Sequence, residues 1–135
     1  MTVELHWLTL TVLMTALLWI PHFLDRLATR GLWGAIEGAT PETGAMQTPW
    51  ALRAMKAHDN AVSNLAVFAP AVLVAHLLHV STPVTQLAAA VYFFARLAHF
   101  VVYAAGVPTG RTLAFTVGWG AQVAFLGSIL GWFQG

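Results

Sequence analysis

Residues 84–107 read VTQLAAAVYFFARLAHFVVYAAGV, an apolar run carrying one full charge, Arg96. A bilayer core about 30 Å thick takes about 20 helical residues per crossing, so this stretch is long enough to span one. It ends at Gly106-Val107-Pro108-Thr109-Gly110, which is turn chemistry, and a second apolar run follows from about Thr112 to Phe133. On its other side, Ser81-Thr82-Pro83 forms another turn, preceded by a run from about Ala61 to Val80 that continues a more polar helical stretch beginning near Trp50. The remaining run, about Leu5 to Leu24, is bent near its end by Pro21. Two of the three connections are so short that the spans they join must be antiparallel neighbours. The expected fold is an all-α integral membrane bundle of four transmembrane helices in a single domain. The connection from about Asp25 to Pro49 is expected as a long loop, with Pro41 within it and Trp33 at the membrane interface.

Composition agrees. Hydrophobic residues make up 59% of the 135 and charged residues 8%, against about 45–50% and about 25% in soluble proteins. The mean hydropathy is +0.73. A net charge of +1 provides no basic field, which excludes nucleic acid as a partner. With no cysteine in the chain, a thiolate nucleophile, a disulfide and a cysteine-ligated metal are all excluded. Any thiol chemistry must use a thiol brought by a ligand. The first run is too long for a signal-peptide core and is preceded by Glu4 rather than basic residues, so it is read as retained.

The basic residues lie on one side. Arg26, Arg30, Arg53 and Lys56 flank the long connection, Arg111 follows the third one, and Arg96 lies toward the same end of its span. The positive-inside rule then places that side in the cytoplasm and both termini outside. The expected location is a multi-pass one in a bacterial inner membrane, among membrane lipids.

A charge inside a span costs at least about 2.5–3.5 kcal/mol unless paired or hydrated. Arg96, His99 and Tyr103 share one helical stripe. Arg53, Asn60 and Asn64 share another, with Lys56 and Ser63 beside it, and Arg111 and Thr112 open the last helix. Antiparallel packing brings these to one depth, which predicts a cationic pocket suited to an anion, a lipid headgroup or a peptide carboxylate. The plainer alternative pairs Arg96 with Asp59 or Asp25, or lets it reach the interface. His76 and His79, three apart at the far end, have a spacing that could hold a metal, but no third ligand is near them in sequence; they read as interfacial, and no metal is expected. Gly127 and Gly131 form a GxxxG pattern and Gly120, Ala124 and Ser128 a small-residue stripe, both expected to pack helices closely.

Arg53-Ala-Met-Lys56-Ala57-His58-Asp59-Asn60-Ala-Val-Ser63-Asn64 resembles the second-helix signature, Arg-Ala-x-x-Asn-x-x-Glu, of the MAPEG family, the membrane-associated proteins in eicosanoid and glutathione metabolism. Phe93-Phe-Ala-Arg96-Leu-Ala-His99-Phe-Val-Val-Tyr103, followed by Arg111-Thr112, is similar to the third-helix region of its prostaglandin-synthase members. The resemblance covers nearly the whole chain. It implies a homotrimer with glutathione sites between subunits, acting as a transferase or peroxidase on lipophilic small molecules. By position, Asn60 would bond the glutathione backbone, and Lys56, Arg96, His99 and Tyr103 would line or orient the peptide, with Arg53 in the same set. Arg111, with Thr112 beside it, would stabilise the thiolate. Arg26 matches a further family arginine at the inner end of the first helix.

Three positions depart from the family pattern. Ser63 stands where the family has glutamate, Lys56 where it has arginine, and Phe115 where the related synthase has tyrosine. Lysine cannot make the bidentate fork of arginine. Without the glutamate, the ammonium of glutathione lacks its anion. This leaves two readings: a glutathione-dependent membrane enzyme, or a non-catalytic lipid-binding protein or accessory subunit of a larger membrane complex.

Overall fold

Prolines mark where the helices begin. A computed structural model of the chain describes residues 1–37 and 48–133, in which α1 spans Val3–Leu17, α2 Ile20–Glu37, α3 Pro49–Leu77, α4 Pro83–Ala105 and α5 Pro108–Ile129. Pro49, Pro83 and Pro108 are each the first residue of a helix, and Pro21 is the second of α2. Proline suits that place, because its missing N–H would have no intrahelical acceptor there. Pro21 also separates α1 from α2. In an uninterrupted helix its ring would meet the Leu17 carbonyl, and α1 ends at Leu17. Counted across this break, Val3–Glu37 is one of four helical segments long and apolar enough to cross a membrane; α3, α4 and α5 are the others.

The expected loop from Asp25 is helical as far as Glu37; the part from 38 to 47, with Pro41, lies outside the described residues. The reason is local. Asp25 to Arg30 contains neither glycine nor proline, and the Thr29 hydroxyl donates back to the Asp25 carbonyl at 2.9 Å, a helical contact. The break comes at Gly31, whose φ of 73° only glycine adopts freely. Beyond it Trp33 is 74% exposed. Asp25 itself accepts from the Thr48 hydroxyl at 2.7 Å and the Thr48 amide at 3.2 Å, tying α2 to the residue that precedes α3.

At the start of α4, Thr82 and Thr85 exchange side-chain and backbone bonds of 3.1 and 2.8 Å in a capping box, which satisfies two otherwise free amides. At its end Gly106 takes φ 78°. The Arg53 Nε donates to the nearby Ala104 carbonyl at 3.0 Å, one of the acceptors a helix leaves open at its C-terminus.

Burial of apolar surface does not drive helices together in lipid, so their association rests on close packing and interhelical hydrogen bonds. α3 buries Ala51, Ala54, Ala57 and Ala61, small residues that let backbones approach. At the centre, Phe68 stacks on Tyr92 with centroids 3.9 Å apart and meets Phe125 edge-on at 5.7 Å. α4 packs most extensively on α5. Leu13, Leu73, Leu87, Phe94, Leu113 and Trp119 are exposed on the outside of the bundle.

The GxxxG pattern does not form a helix-packing stripe. Gly131 lies beyond the end of α5 with φ 81°, and the Trp132 amide returns to the Gly127 carbonyl at 2.9 Å. A Cβ at Gly127 would fall 2.5 Å from the Trp132 ring. Both glycines therefore serve the turn that ends the helix.

Candidate functional site

α4 carries Arg96, His99 and Tyr103 on one face, and the first two are each 2% exposed. The Arg96 Nη2 donates to the Asn60 Oδ1 on α3 at 2.5 Å and lies 3.5 Å from the His99 Nδ1. A guanidinium can only donate, so this geometry makes Nδ1 the acceptor nitrogen. The Asn60 Oδ1 also accepts from the Asn64 Nδ2 at 3.2 Å. The Gln122 Nε2 on α5 donates to the Asn64 carbonyl at 3.1 Å. Amides thus link all three helices behind one arginine, a linkage of the kind that holds helices together in lipid. The Arg96 Nε is buried with no hydrogen-bond partner.

Neither carboxylate considered for Arg96 reaches it. Asp25 is engaged by Thr48, Asp59 is exposed, and among the described residues no carboxylate lies within 4 Å of the Arg96 guanidinium. Arg96 is buried within the bundle and does not extend to its surface. Arg96 bonds an amide because α3 presents Asn60 at its depth.

In front of this group lies a cavity of about 200 Å³ lined by Asn60, His99, Tyr103, Arg111, Thr112 and Phe115. The Arg111 guanidinium carbon sits 4.8 Å over the Tyr103 ring, a cation–π contact. Tyr103 in turn meets His99 edge-on at 5.5 Å. A neighbouring cavity of about 190 Å³, lined by Arg53, Gly106, Val107 and Pro108, shares Tyr103 and Arg111 with the first. Arg111 therefore stands between two cavities and is itself exposed.

Of the residues the sequence singled out, Asn60, His99, Tyr103, Arg111 and Thr112 line the first cavity, and Arg96 stands behind Asn60. Arg53 borders the second while its Nε holds the Ala104 carbonyl. Lys56 is exposed on α3 and lines neither. Arg26, half-buried on α2, lines neither as well. It belongs to the α2 segment whose His22 ring lies 6.1 Å from that of His58. The Ser63 hydroxyl donates to the Asp59 carbonyl of its own helix at 3.0 Å. Sequence reasoning passed over Gln122, although a lone amide in an apolar span signals a buried partner.

The first cavity is lined by a cation, an amide, a phenol, a hydroxyl and an imidazole, with no carboxylate. Such a donor set is suited to anionic groups, because hydrogen bonds to a charged partner are the stronger ones. The model of the MAPEG family matches residues 5–131 of the chain. No curated protein and no solved structure matches it.

Proposed function

The chain belongs to the MAPEG family, and on that premise we propose that it is a glutathione-dependent transferase or peroxidase acting on lipophilic electrophiles. It is an integral, multi-pass membrane protein of a family generally associated with glutathione. The observation that carries the reading is Arg111, held over Tyr103 at the mouth of a cavity that also presents Asn60 and His99. Glutathione would supply a thiol that adds to an electrophile or reduces a hydroperoxide. Arg111 provides a fixed positive charge that favours the thiolate over the thiol. Asn60 offers its amide to the peptide, and Arg96 orients Asn60 from behind. The donor set fits the carboxylates and the thiolate of the tripeptide. At about 200 Å³ the cavity is smaller than the roughly 300–1,000 Å³ of ordinary ligand pockets. We therefore place the rest of the ligand against a neighbouring copy, in a homotrimer. The lipophilic substrate enters from the bilayer, and the basic end of the bundle faces the cytoplasm with both termini opposite.

The test is turnover of the purified protein with glutathione and chlorodinitrobenzene. Glutathione-dependent conjugation that Arg111→Ala abolishes supports the enzyme; none from the intact protein overturns it.

A second reading rests on Ser63. Its hydroxyl is turned to its own helix, and the cavity has no carboxylate to receive the ammonium of glutathione. A bundle that kept the anion pocket but not this partner would serve as a lipid-binding protein or an accessory subunit. Stoichiometric co-purification with a larger membrane complex, together with no conjugating activity, distinguishes it.

A further inference from the structure

At the end of the bundle opposite the basic residues, Glu4 on α1 is 3% exposed. Its carboxylate accepts from the Ser81 hydroxyl at 2.9 and 3.2 Å and from the Thr85 hydroxyl at 2.5 Å. Among the described residues it has no cationic partner within 4 Å. An ionised carboxylate has about four acceptor positions, so two hydroxyls leave some of its capacity unused. A buried carboxylate without a counter-charge is costly. Glu4 also lines a cavity of about 200 Å³ with Thr2, His76, His79 and Ser81, walled by Val72, Ala75 and Val80. The histidines that sequence spacing left without a third ligand thus share a cavity with a carboxylate from another helix. Even so, among the described residues no three such side chains stand where they could hold a metal ion.

We propose that this cavity binds a primary ammonium group, as carried by an ethanolamine lipid headgroup or a free alkylamine. Glu4 supplies the opposite charge, and the ring nitrogens of His76 and His79 and the Ser81 oxygen are further polar atoms lining the cavity. No lysine or arginine lies at this end to compete. A water occupies about 30 Å³, so the cavity takes a headgroup of a few heavy atoms, its methylenes against Val72, Ala75 and Val80. The site is independent of the one at Arg111.

The test uses the full chain in detergent, offered equal amounts of phosphatidylethanolamine and phosphatidylcholine and read by native mass spectrometry. Phosphatidylcholine has the same charge but no N–H to donate. The expected preference for phosphatidylethanolamine is about tenfold or more, as for charge-assisted hydrogen bonds, and Glu4→Gln removes it. If Glu4→Gln does not fold, His76→Phe, at an exposed position, should reduce the preference by removing the His76 ring nitrogens from the cavity. Ethanolamine alone raising the melting temperature identifies a free amine as sufficient; a preference seen only with the lipid identifies the headgroup. Equal retention of the two lipids together with no effect of ethanolamine overturns the proposal, as does a preference that survives both substitutions.

Discussion

Arg96 on α4 and Asn60 on α3 meet at 2.5 Å, a buried guanidinium held by an amide rather than a carboxylate. The pair leaves the charge of Arg96 uncancelled behind the cavity, where a carboxylate partner would have neutralised it. Asn60→Asp keeps the acceptor for both Arg96 and Asn64, so the melting temperature should hold or rise. The added negative charge should weaken binding of glutathione by about tenfold or more. Thermal unfolding and calorimetry on one preparation check both; equal affinity would show that the cavity does not select anions.

Asn60→Leu removes the acceptor and strands a buried charged donor. The loss should be about 1–3 kcal/mol, read as a lower melting temperature. Unchanged stability would mean that Arg96 finds another partner.

Arg111→Ala should leave stability nearly unchanged, because an exposed cation–π contact is worth about 0.5–1 kcal/mol. Turnover should fall by about 10²–10³, the usual cost of losing one charge-stabilising donor, with a much smaller change in glutathione affinity. The ultraviolet thiolate band at fixed occupancy should fall with it. A variant that keeps both turnover and the band contradicts the placement of the sulfur.

Ser63→Glu should strengthen glutathione binding if the missing anion is what limits it. The expected gain is about tenfold, the size of one charge-assisted hydrogen bond, measured by calorimetry. No gain would mean that a glutamate at 63 does not reach the ligand's ammonium.

The apolar runs and the turns at Ser81–Pro83 and Gly106–Gly110 were readable because lipid demands long uncharged helices and proline opens them. The face of Arg96, His99 and Tyr103 was readable from helical spacing, and Arg111 and Thr112 from their place just after a short turn. The helix from Asp25 to Glu37 was not, because a polar amphipathic helix has the composition of a loop. The places of Lys56 and Arg26 were also not readable: a helical wheel gives a direction but not the neighbour that lies there. Glu4 and His76 are far apart in sequence, and only the packing of α1 against α3 puts them on one cavity. The Gly127–Gly131 spacing matched a packing motif, but the helix ends between the two glycines.

Whether the cavity at Arg111 binds glutathione is read by calorimetric titration of the purified protein with the tripeptide. Saturable binding is expected at millimolar concentration or below, weakened by Asn60→Asp. No heat at millimolar glutathione from the folded, oligomeric protein would contradict it.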